Sequence, residues 1–129
     1  MARHILVIDD NEYLLYLLRS VLEGEHYRVS VVGRGAGAHE RVQENPPDLI
    51  ILDLKLGDAS GLDILEALRS HEITATIPVL IYSAAILEAE SVTKLIAGNP
   101  ARYRSVSVLR KPFDVDVLLE RVGRMVEAG

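Results

Sequence analysis

The sequence has 129 residues, 49% apolar and 26% charged, with no cysteine and a formal net charge of −5. This length suits one domain over 1–129 and the composition is that of a globular chain, not a disordered one; without cysteine there is no disulfide framework, thiolate metal site or Cys nucleophile. The acidic balance argues against nucleic-acid binding by this segment, and with neither a secretory leader nor an apolar run of roughly 20 residues the expectation is a cytoplasmic protein with no membrane partner.

The first predicted strand, 4–9, is an apolar run that ends in two acids. Asn11 then suits a helix cap, and Leu14, Leu17, Leu18 and Val21 follow as an apolar stripe at helical spacing. A second strand is predicted over 27–32 and a short helix over 37–44, which Pro46 and Pro47 stop ahead of a third strand over 49–53. Ser60 with Asp63 resembles a capping box with Asp in place of Glu. Pro78 opens a fourth strand over 79–82, where a missing N–H is tolerated, and a helix is predicted over 87–97. An unusually long connection, 98–105, leads into a fifth strand over 106–109. After Asp114, a good capping residue, Val115, Leu118, Leu119, Val122 and Val126 form the last helical stripe. Strands alternating with helices indicate an α/β fold with a parallel sheet. The first and third strands lack polar alternation, as strands covered on both faces do, and are read as central.

In a doubly wound sheet, functional groups collect in the crevice outside the carboxyl ends of the strands. Those ends carry Asp9 and Asp10, then Asp53, Ser83 and Lys111. Taken singly, each has a bland reading: an Asp pair or a Lys-Pro step is ordinary turn chemistry, an Asp after a strand often caps a helix, and a lone Ser says little. Turns do not account for all five at strand ends. Three close carboxylates either raise a pKa or hold a cation. With oxygen ligands only, Mg2+ is the natural occupant, and a Lys and a hydroxyl beside it suit phosphoryl transfer to a carboxylate.

At these residues the sequence resembles the response-regulator receiver family, over 3–125. The matching stretches are Ile-Leu-Val-Ile-Asp-Asp-Asn-Glu from Ile5, Pro-Asp-Leu-Ile-Ile-Leu-Asp-Leu from Pro47 with Gly61 and Leu62 beyond, Pro-Val-Leu-Ile-Tyr-Ser-Ala from Pro78, and Lys-Pro-Phe from Lys111. The resemblance implies a doubly wound five-stranded parallel sheet of flavodoxin-like order 2-1-3-4-5 with helices on both faces. It makes Asp53 the phosphoacceptor and Asp10 a direct Mg2+ ligand. Asp9 would be a ligand directly or through water, and the backbone carbonyl of Lys55 would complete the protein's share. Ser83 would hydrogen-bond a phosphoryl oxygen, Lys111 would pair with the phosphoryl group or the acceptor, and the Lys111–Pro112 peptide would be cis. Lys55 and Ala85 would tune hydrolysis. The implied partner is a sensor histidine kinase or a histidine phosphotransfer protein, and a homodimer is compatible. The protein would be a self-modifying switch, not a turnover enzyme.

Some positions depart from the family pattern. Val108 stands where the family usually has an aromatic residue that reports phosphorylation, and Tyr103 is a candidate substitute. The Ser83 to Lys111 interval exceeds the family's by roughly one to two helical turns. The excess falls in 98–105 with Arg102 and Arg104, as a tolerated surface insertion or a new binding face. Gly57 replaces a frequent Pro and is expected to loosen its loop. Three rival readings remain. The run 33–38 matches Gly-x-Gly-x-x-Ala of dinucleotide-binding folds, although after the second strand. A pseudo-receiver would keep the fold for docking or dimerisation alone. A phosphatase-type hydrolase with an Asp nucleophile would lack a cap domain to enclose its substrate.

Overall fold

Uninterrupted apolar runs become strands covered on both faces. In the computed structural model, which describes residues 2–84 and 86–128, every residue of β1 (His4–Ile8), β3 (Leu49–Asp53) and β4 (Val79–Ser83) is buried. The flanking strands β2 (Arg28–Val32) and β5 (Val106–Arg110) are more open, as edge strands are. All pairings are parallel and the order is β2-β1-β3-β4-β5, the expected doubly wound topology. Five helices connect and flank them: α1 (Glu12–Gly24), α2 (Ala38–Glu44), α3 (Gly61–Arg69), α4 (Ile86–Gly98) and α5 (Val115–Ala128). None among the described residues is long and apolar enough to cross a membrane.

The sheet separates two cores, and side-chain alternation along each strand decides which residue enters which. Ile5, Val7, Leu49, Ile51, Leu80, Tyr82 and Leu109 pack with residues of α1 and α5. Leu6, Ile8, Ile50, Leu52 and Ile81 pack with residues of α2, α3 and α4. Burying each such side chain contributes about 1.5–3 kcal/mol.

Local chemistry sets the helix ends. The Asn11 carboxamide oxygen accepts from Leu14 N–H at 3.1 Å, as a capping Asn should. The Ser60 hydroxyl accepts from Leu62 N–H at 3.2 Å, while no bond returns from the Asp63 carboxylate among the described residues. Asp is one methylene shorter than the Glu of a capping box, so Ser60 forms a simple cap. The buried line of α1 runs through Leu15, Leu18 and Leu22, one residue round from the expected stripe. Leu14, Leu17 and Val21 are only partly buried because apolar residues occupy both sides of that line. On α5 the buried line is Leu118, Val122 and Val126, and Val115 is left exposed at the first turn.

The 98–105 connection is not a loose insertion: most of its residues are exposed, but it is pinned from within. Tyr103 N–H donates to Asn99 C=O at 3.2 Å, closing one turn, and the Tyr103 ring is buried in the α3-side core. The Tyr103 hydroxyl donates to Glu66 Oε1, and Arg102 donates to Glu66 Oε2 at 3.0 Å. From below, the buried Arg69 guanidinium donates to the carbonyls of Ile77 and Arg104 at 2.8 and 3.2 Å. The connection is therefore riveted to α3 and to the β4 approach.

Candidate functional site

Strand parity explains which side chains meet. Asp9 continues the face of Ile5 and Val7, Asp53 that of Leu49 and Ile51, Tyr82 that of Leu80, and Lys111 that of Leu109. All four therefore reach the carboxyl edge on the α1 and α5 side. Ser83 has the opposite parity, is buried, and ends β4 on the other side; its carbonyl accepts the Lys111 N–H at 2.9 Å.

Asp9, Asp10 and Asp53 each offer one oxygen, and these oxygens lie within 4.8 Å of one another. Asp9 and Asp53 are buried and Asp10 is exposed. A cluster made only of carboxylate oxygens, closed on the protein side and open at Asp10, fits a hard cation that keeps some water. Each of the three carboxylates also accepts one backbone N–H. Asp9 Oδ1 accepts from Asn11 N–H at 2.8 Å, Asp10 Oδ2 from Gly57 N–H at 2.8 Å, and Asp53 Oδ1 from Lys55 N–H at 3.3 Å. The Gly57 bond corrects one expectation. A proline there has no N–H, so Gly57 ties its loop to Asp10 instead of loosening it.

Lys111 Nζ lies 3.7 Å from Asp53 Oδ2 and 3.8 Å from Asp9 Oδ2. The Lys111–Pro112 peptide is cis, as the resemblance implied. Burial raises the Asp53 pKa above the ordinary carboxylate value, Lys111 opposes that rise, the Asp9 charge adds to it, the Lys55 N–H lowers it, and Asp10 adds a last increment. Asp53 is thus a largely desolvated carboxylate faced by an ammonium that stands beyond hydrogen-bonding distance.

Two features escaped the sequence reading. The Tyr82 hydroxyl donates to Asp9 Oδ2, and its ring lies 4.5 Å beneath Lys111 Nζ. The clue was parity: Tyr82 pairs in register with Asp53. The other is Asp58, whose oxygens accept the Gly35 and Ala36 N–H groups at 2.8 and 2.9 Å. Those N–H donors belong to the glycine run that matched a dinucleotide-binding fingerprint. They are spent on a carboxylate of the β3–α3 loop, which removes the anion cradle that fingerprint requires.

Of the remaining positions, Val108 is partly buried and packs on the α3-side core. Tyr103 precedes β5 and therefore lies at the amino edge of the sheet, away from Asp53, so it does not replace the missing aromatic residue. The Lys55 side chain is exposed and faces Glu88 at 3.7 Å. Ala85 lies outside the described residues.

An open, doubly wound α/β domain with an acidic cluster and a lysine at its carboxyl edge is the class these observations define. Within that class, the family model described as the response regulator receiver domain matches residues 5–123, and the chain belongs to this family. It is 39% identical over 118 residues to the transcriptional regulatory protein KdpE of Mycobacterium tuberculosis, covering 92% of this chain and 48% of that protein. It is 36% identical over 126 residues to the phosphate regulon transcriptional regulatory protein PhoB of Rhizobium meliloti, covering 98% and 53%. The chain thus spans about half the length of the curated relatives it matches. Among solved structures, a sensor protein from Polaromonas sp. JS666 superposes with a TM-score of 0.82 at 28% identity, covering 98% of this chain and 97% of that one. The receiver domain of the Francisella response regulator 1452 gives 0.81 at 25%, covering 98% of each.

Proposed function

We propose that Asp53 accepts a phosphoryl group from a sensor histidine kinase or a histidine phosphotransfer protein, in a Mg2+-dependent reaction, and that the protein acts as a phosphorylation switch in two-component signalling. The observation that carries this reading is a buried acceptor carboxylate flanked by two further carboxylates and faced by the Lys111 ammonium at 3.7 Å.

An Asp53 oxygen attacks phosphorus, the donor's N–P bond breaks, and the leaving imidazole nitrogen takes a proton from solvent, leaving an acyl phosphate. Lys111 offsets charge gathering on the transferring oxygens, and the Ser83 hydroxyl donates to one of them. Asp10, Asp53, Asp9 and the Lys55 carbonyl would hold Mg2+, which when bound neutralises phosphoryl charge. Hydrolysis then breaks the P–O bond, releases phosphate and restores the carboxylate, so the protein is its own substrate and not a turnover enzyme. Any output through DNA, which the names of the relatives suggest for them, would have to lie outside these residues, and the setting that suits this chemistry is the cytoplasm.

The test is incubation with Mg2+ and phosphoramidate or acetyl phosphate, followed by intact mass. One phosphoryl group should be gained, and the gain should vanish with EDTA or with Asp53→Ala. A protein that gains none, and that beryllofluoride also leaves unperturbed, is a pseudo-receiver used for docking, a reading that Val108 at the usual aromatic position favours.

A further inference from the structure

Tyr82 sits inside the site yet has no part in the chemistry above. It is fully buried in β4, and its ring meets Phe113 edge-on with centroids 6.0 Å apart, so its hydroxyl has one direction to point. That direction is Asp9 Oδ2. The same oxygen is one of the two that Lys111 approaches, at 3.8 Å, while the other, on Asp53, is 3.7 Å away. Both distances exceed the roughly 2.7–2.9 Å of a charge-assisted hydrogen bond. The ammonium is therefore hydrogen-bonded to neither carboxylate, although within ion-pair reach of both, and rests over the Tyr82 ring, 4.5 Å from its centre, where a cation is attracted to the π face.

A fully desolvated carboxylate such as Asp9 is the stronger trap for an ammonium, because Coulomb attraction grows as water is removed. What occupies Oδ2 instead is the phenol. We propose that Tyr82 is a positioning residue that keeps Lys111 off Asp9, leaving Asp9 available to the cation and Lys111 available to the phosphoryl group on Asp53. This rests on the phosphoryl-acceptor reading. Removing the hydroxyl lets Lys111 close on Asp9, so the cation site loses a ligand and the acceptor loses its ammonium.

The test is calorimetric titration with Mg2+ alone of the wild type, Tyr82→Phe, Lys111→Met and the double variant, with circular dichroism to confirm folding. Tyr82→Phe keeps the ring against Phe113 and removes only the hydroxyl. It should weaken Mg2+ binding about tenfold, the size of effect seen when a group that orients a metal ligand is lost. In the Lys111→Met background the same change should alter affinity by less than about twofold, since the ammonium it restrains is gone. The chain has no tryptophan, so Mg2+ should also produce a near-ultraviolet tyrosine difference signal that Tyr82→Phe abolishes. Unchanged or tighter binding in Tyr82→Phe, or an equal loss with and without Lys111, overturns the inference while leaving the acceptor reading in place. A wild type that binds no Mg2+ overturns both.

Discussion

Gly61 is where a single atom would do most damage near Asp53. A Cβ there would come within 2.2 Å of the Asp53 carbonyl oxygen and 2.7 Å of Leu54 Cα, because the first residue of α3 rests directly on the end of β3. Gly61→Ala should destabilise the fold by about 1–3 kcal/mol, the usual cost of overpacking, and urea denaturation measures it. Asp53 itself carries a pH signature. Its folded pKa is raised by burial, so its contribution to stability is full below the unfolded value of about 3.9 and is lost as pH rises through the folded pKa. Without divalent cation, Asp53→Asn should therefore unfold at a higher temperature than wild type near neutral pH. That advantage should shrink as pH falls through the raised folded pKa and be gone below about 3.9, which thermal melts across the range will show. The places of Asp9, Asp10, Asp53, Ser83 and Lys111 at the carboxyl ends of strands were legible in the sequence because each follows a strand-forming run. Tyr82 was not, since its place depends on the register that sets it beside Asp53, and the Gly57 bond depends on a loop meeting a residue far away in sequence.

At the scale of elements, the five strands, α2 and α4 lie within a residue of their predicted bounds, and α1, α3 and α5 begin just after the predicted capping residues, because apolar runs and caps state them locally. The connection before β5 did not announce its role. Its anchor is Tyr103, buried against the α3 side and bonded to Glu66, a residue whose nearness follows from packing and not from local pattern. Tyr103→Phe should cost about 0.5–1.5 kcal/mol for the lost hydrogen bond. Tyr103→Ala should cost about 3–5 kcal/mol for the cavity, both read from chemical denaturation. Neither should prevent modification of Asp53 in protein that remains folded, because Tyr103 lies at the opposite edge of the sheet. The loop after β2 was misleading for a related reason. Its glycines and free N–H groups look like a ligand cradle until Asp58 arrives from the next βα unit and fills it.

For the whole molecule, the doubly wound order brings four strand ends to one edge and so assembles a site from residues scattered between Asp9 and Lys111. Two cores, one on each face, hold that edge still while α1 and α5 close over the side that Asp9, Asp53, Tyr82 and Lys111 share. The central claim is that this edge directs a phosphoryl group to one carboxylate among three neighbours. Its most direct test is to phosphorylate the protein with phosphoramidate and Mg2+, reduce the acyl phosphate with borohydride, and map the resulting homoserine by peptide sequencing. The account predicts homoserine at position 53 alone, and only when Mg2+ is present. Homoserine at position 9 or 10, or at 53 equally without Mg2+, would contradict it.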